Sequence, residues 1–175
     1  MKKIILTSVL LVFITACQTG DKRYTQTSTE IDSYRAALAA YETGDWESYK
    51  GHFADTAKIY HNSVDKYVSP AESAARMKES TAQFSSYGFV EDEGDAEMVV
   101  SDKGETWVNF WGTWKGTFSA NEKEVTIPVH TTAMYIDGKI VKEYGYWDTA
   151  PIVEAVKEIE AASKEAAEGE ETEQE

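Results

Sequence analysis

The apolar positions of this chain change their spacing three times, and each change marks a boundary. Residues 4–14 are a nearly unbroken apolar run, interrupted only by Thr7 and Ser8 and preceded by Lys2 and Lys3. Residues 18–28 are polar and aperiodic, as a tether would be. From Thr29 onward Ile31, Tyr34, Ala37, Leu38 and Tyr41 recur at steps of three and four, which predicts an amphipathic helix with Ser28 or Thr29 as its N-cap and Gly44 as its stop. Asp45 opens a second, short helix whose Trp46, Tyr49 and Phe53 fall on one side. Residues 57–60 read as a short strand, and Ser69-Pro70 introduces a third helix over 71–85.

Beyond Tyr87 the spacing becomes that of strands. β-Branched and aromatic residues fill 97–101, 106–118, 124–136 and 139–148. Asp137-Gly138 is a two-residue hairpin signal, and the longer turn at 119–123 joins the preceding pair, so consecutive strands are expected to pair antiparallel in one curved sheet. Helices followed by such a sheet predict an α+β domain. After Pro151 a last helix uses Ile152, Val153, Val156 and Ile159, and the chain then turns acidic. Residues 161–175 are expected to be a disordered, solvated tail.

The basic-then-apolar start has the layout of an export signal. It is too short for a membrane-spanning helix, which needs about 20 apolar residues. Ile14-Thr15-Ala16-Cys17 resembles the bacterial lipobox. The expectation is therefore a signal peptide over 1–16, a lipid-bearing Cys17 with a tether over 17–28, and a folded domain over 29–160. Two or more acyl chains on Cys17 suffice for stable anchoring without a spanning helix. This implies a bacterial cell-envelope location, periplasmic or at the cell surface.

Charge narrows the partners. The formal net charge is -14, and loss of Lys2 and Lys3 with the leader makes it -16. Nucleic acid is excluded as an expected partner, because binding it needs Lys and Arg against phosphates. Acidic surfaces are likewise repelled by anionic lipid, so membrane attachment falls to the acyl chains. Cys17 is the one cysteine and has no disulfide partner within the chain. The three histidines, at 52, 61 and 130, do not pair at metal-ligand spacing; no metal and no cofactor is expected.

Several strings resemble the nuclear-transport-factor-2-like superfamily, especially its SnoaL-like polyketide-cyclase and ketosteroid-isomerase branches. They are Tyr41-Glu42-Thr43-Gly44-Asp45-Trp46 between two helices, Phe53-Ala54-Asp55 entering the first strand, and Asp137-Gly138-Lys139-Ile140 followed by Tyr146-Trp147-Asp148. The resemblance covers about 29–156 and implies a cone: a curved antiparallel sheet wrapped around N-terminal helices, with a pocket between them. It also implies a small-molecule ligand in that pocket, because a mostly apolar cavity with few polar groups is the default ligand site.

Strict alternation along 139–148 groups Ile140, Lys142, Tyr144, Tyr146 and Asp148 on one face. It also groups His130 with Thr132 and Met134, and separates Trp107, Asn109 and Trp111 from Val108, Phe110 and Trp114, leaving open which aromatic set faces the cavity. The pocket candidates are Tyr60, Trp111, Trp114, His130, Tyr144 and Tyr146. The stretch ending in His61 is similar to the one that ends in the catalytic aspartate of ketosteroid isomerases, which implies His61 as a general base with Asp148 as its partner or alternative. The isomerase's oxyanion-binding tyrosine corresponds to Ala37, so steroid isomerisation is not expected. Asp148 has an equally good structural role as the cap of the last helix. Three functions follow: an envelope lipoprotein binding a small, partly apolar ligand; a cyclase- or isomerase-type enzyme using His61 or Asp148; and a non-catalytic module that forms a homodimer through an open sheet face.

Overall fold

The computed structural model describes residues 23–91 and 94–172; the proposed leader, Cys17 and residues 18–22 of the tether lie outside the described residues. Eleven elements follow in order: β1 (Tyr24–Thr25), α1 (Thr29–Thr43), α2 (Trp46–Gly51), β2 (Phe53–His61), α3 (Pro70–Thr81), β3 (Phe84–Phe89), β4 (Asp95–Val100), β5 (Thr106–Phe118), β6 (Glu124–Ile136), β7 (Lys139–Trp147) and α4 (Ala150–Thr172).

Local chemistry explains most of these boundaries. Ser28 Oγ accepts from Ile31 N at 3.2 Å, satisfying one of the free amides at the start of α1. Asp45 does the same for α2 through Ser48 N. Ser69 and Glu72 form a reciprocal capping box around Pro70, the residue best suited to open α3. At the β6–β7 turn Asp137 and Gly138 both have positive φ, 50° and 74°, the conformation a two-residue hairpin demands.

The strands form one curved, unclosed sheet of seven, in the order β1-β4-β5-β6-β7-β2, with β3 also pairing β5. Every pair is antiparallel except β2 with β7. These two meet in parallel because the whole chain from α3 to β6 intervenes, ample length for a crossover. α1 lies across the inner face, so Ile31, Tyr34, Ala37 and Ala40 join Phe110, Ala133, Tyr135 and Ile140 in one buried cluster. A second cluster at the other end joins Trp114, Phe118, Val125 and Ile127 to Ala155, with Ile152, Val156 and Ile159 of α4 packed against it.

β2 takes Phe53 from the expected helix stripe and runs 53–61 rather than 57–60, because the chain leaves α2 at Gly51 and pairs with β7; three further departures from the sequence reading are also local. α3 stops at Thr81 rather than 85, and the chain enters β3 at Phe84, an edge strand whose two serines and glycine obscure its alternation. The acidic stretch from 161, expected to be disordered, is helical through Thr172. Its Ala, Glu and Lys residues favour helix intrinsically; what ends near Ile159 is the packing stripe, and residues 160–168 are exposed. The third departure is in β7. Its register against β6 slips between Met134↔Lys142 and Tyr135↔Ile140, a bulge at Val141 that puts two residues between successive inward positions.

Candidate functional site

The bulge in β7 decides what faces inward. Ile140 and Glu143 are both buried, as is Gly145, whereas Lys142, Tyr144 and Tyr146 point the other way. A carboxyl group is thereby carried into the cone, and its surroundings are built to receive it. Tyr34, from the centre of α1, donates from Oη to Glu143 Oε2 at 3.3 Å. The same Oη lies 2.5 Å from Thr131 Oγ1; with its one proton given to Glu143, Tyr34 accepts from the threonine.

Burial dominates the electrostatics here. It pushes the Glu143 carboxyl up to about 7, against the opposing effect of the Tyr34 hydrogen bond, because desolvation penalises the charged form. The Tyr34 phenol is likewise driven well above its usual range, by burial and then by the charge of Glu143.

These groups stand on the wall of a cavity of about 490 Å³ between α1, α3, the sheet and the start of α4. Its surface is mainly side chains such as Leu38, Phe53, Met77, Phe84, Phe89, Trp114, Ile127 and Val129. Arg76, Ser80, Gln83, Thr149 and Val153 are the exposed members of the lining and mark its mouth. Gly145 is needed for this shape: a Cβ there would come within 2.7 Å of the Trp147 ring, which lies across it and faces the cavity.

His61, at the end of β2, also reaches the cavity. Its ring centroid is 5.1 Å from that of Trp147, and its buried Nε2 has no hydrogen-bond partner among the described residues. Burial, and secondarily the positive charge of Arg76, lower its pKa to about 4, so the imidazole is neutral at pH 7.

The candidates named from sequence divide between the two sides of the sheet. His61 and Trp114 line the cavity. Trp111, His130, Tyr144, Tyr146 and Tyr60 occupy the outer face instead: Trp111 stacks on His130 with centroids 4.9 Å apart, and Tyr60 stacks on Tyr144 at 4.7 Å. Alternation separated Trp107, Asn109 and Trp111 correctly from Val108, Phe110 and Trp114, and the second set is the inner one. For β7 it failed, because a rule of period two does not survive an inserted residue.

Asp148 does not meet His61 in a catalytic pair. It is exposed and its Oδ1 accepts from Ala150 N at 2.9 Å, the helix-capping role. His52 ends α2, with Nδ1 3.0 Å from Ser33 Oγ.

The sequence reading places Tyr34 only in the α1 stripe and does not single out Glu143. Among the described residues no group of three His, Cys, Asp or Glu side chains is arranged to hold a metal.

Residues 31–156 match the family model for SnoaL-like polyketide cyclases. Solved structures with the same fold include AclR, a candidate hydroxylase from Streptomyces galilaeus, at TM-score 0.59 and 15% identity over 74% of this chain and 96% of that one. IdmH, a candidate polyketide cyclase from Streptomyces antibioticus, is similar at TM-score 0.58 and 15% identity over 74% and 99%. A candidate polyketide cyclase from Xanthomonas campestris is similar at 0.59 and 14% over 77% and 99%. No curated protein matches the chain.

Proposed function

The chain belongs to the SnoaL-like polyketide cyclase family, and from that premise we propose that its cavity takes a small, partly apolar molecule whose carbonyl or hydroxyl oxygen sits against Tyr34, Thr131 and Glu143. One observation carries this reading: a buried carboxyl hydrogen-bonded to a phenol on the wall of an apolar cavity of ligand size. Strongly shifted groups in a cleft are the usual mark of a functional site. The test is titration of 4-phenyl-2-butanone into the protein, followed by quenching of the cavity tryptophans Trp114 and Trp147. Tyr34→Phe should weaken binding roughly fivefold, the effect of one lost hydrogen bond of about 1 kcal/mol, because the phenol proton that rests on Glu143 turns to the ketone when the ligand enters. Binding that Tyr34→Phe leaves untouched would place the ligand elsewhere.

A second reading, acid–base catalysis of a cyclase or isomerase type, is favoured by a carboxyl poised near 7, where a general base works best at neutral pH. Glu143 replaces His61 and Asp148 in that role, since one is neutral and weakly basic and the other caps a helix outside the cavity. A rate that rises through about pH 7 and disappears in Glu143→Gln supports it; a rate unchanged by that substitution removes it.

The outer face supports an assembly reading, because Trp111 and Tyr146 are 44% and 42% exposed. Light scattering that finds a monomer at high concentration counts against it. Attachment to the cell envelope through acylated Cys17 is proposed from the leader sequence, and mass spectrometry of protein from its own host, showing an unmodified Cys17, would refute it.

A further inference from the structure

We infer that the molecule bound in this cavity carries a carboxylate as well as an apolar body, with the carboxylate at the mouth against the guanidinium of Arg76. The inference rests on the reading above that the cavity binds a small molecule, and it narrows the ligand to an oxo- or hydroxy-carboxylic acid with an apolar middle.

Arg76 is the only Lys or Arg among the lining residues, in a chain whose net charge is -14. It makes no ion pair and no hydrogen bond among the described residues. Glu72, one turn earlier on α3, feels its charge, but that carboxylate is already engaged by Ser69 N and Ser69 Oγ at 2.9 and 3.0 Å in the capping box. The guanidinium is therefore left to the cavity mouth.

His61 lines the same cavity and lies close enough to feel the charge of Arg76, and as a neutral ring it neither pairs with nor compensates that charge. A carboxylate pairs with the arginine. A neutral amide would leave the charge of Arg76 unpaired, and a cation would be repelled. The planar fork of arginine matches two carboxylate oxygens, which a point charge does not.

Glu143 fixes the orientation. An anion beside that buried carboxyl is disfavoured, so the charged end of the ligand stays at Arg76 and the carbonyl or hydroxyl end enters toward Tyr34.

The probe is 4-oxo-4-phenylbutyrate, compared with its primary amide, titrated into the whole protein at pH 7.5 with tryptophan fluorescence as the readout. The acid is expected to bind at least tenfold more tightly, and added salt should narrow the gap. Arg76→Gln, at an exposed helix position where folding is not at stake, should bring the ratio of the two affinities close to one; Arg76→Lys should restore part of it. If acid and amide compete for one site with equal affinity, the carboxylate inference fails while the binding reading stands. A ratio unchanged by Arg76→Gln overturns the inference as well, and if neither compound binds, both readings fall.

Discussion

Phe110 and Trp111 are neighbours on β5, yet they belong to different worlds: one is 2% exposed inside the cone, the other 44% exposed on the back of the sheet. The contrast runs along the whole sheet. Inside, a few polar groups stand isolated among apolar side chains, and burial shifts Glu143, Tyr34 and His61 far from their ordinary ionisation. Outside, rings lie flat on one another, Trp111 on His130 and Tyr60 on Tyr144. The two faces are similar in residue type and opposite in consequence, since a polar group gains unusual chemistry only where water is removed from it. An outward histidine is a stacking surface; an inward one is an unsatisfied polar atom.

The sharpest way to break this contrast is to truncate both members of the pair. Phe110→Ala is expected to cost about 3–5 kcal/mol, the range for emptying a buried aromatic site. Trp111→Ala in the monomer should cost within about 1 kcal/mol, since most of its surface loss is repaid by water. Urea unfolding at pH 7 measures both, and equal losses would refute the assignment of the faces.

Next in size is the pH dependence of Glu143. Its folded pKa is raised from 4.5 to about 7, so the proton binds the folded state more tightly. The stability linked to this group is full below pH 4.5 and is lost as pH rises through about 7. Glu143→Gln should therefore stabilise the protein at pH 8 by up to about 3 kcal/mol, from 1.36 kcal/mol per unit, with the gain fading by pH 5. A gain that is the same at both pH values would mean the carboxyl is not buried as described.

His61 has the opposite sign. Its pKa is depressed from 6.5 to about 4, so the associated stability is present above pH 6.5 and is lost as pH falls through about 4. His61→Phe should flatten the acid limb of the stability profile, and a limb that keeps its slope would mean that this imidazole is not buried as described. The smallest effect belongs to Asp148. Asp148→Ala removes the cap at Ala150 and should cost about 1 kcal/mol without altering the affinity of a cavity ligand. A complete loss of binding would return Asp148 to the site.

The capped helices, the Asp137-Gly138 hairpin and the strands of the second half were legible in the sequence because each depends on residues within a few positions of one another. Alternation along β5 separated the two aromatic sets, but only the packing of α1 and α4 against the sheet put Trp114 on the cavity side and Trp111 on the outer one. Glu143 was hidden by a single inserted residue, Val141. Nothing in Lys142-Glu143-Tyr144 announces a bulge; it arises where β7 must match β6 on one side and β2 on the other.

The sequence by itself therefore determined the α+β order of elements, their caps and turns, and the net acidity, all properties of short-range steric and hydrogen-bonding preference. Only the tertiary structure decided which face of β7 looks inward, which histidine is buried, and that Tyr34, Thr131 and Glu143, separated by up to 109 residues along the chain, share one hydrogen-bonded cluster. The physical reason is that strand register and desolvation are set by partners distant in sequence, and it is desolvation that turns an ordinary glutamate into a group titrating near neutrality.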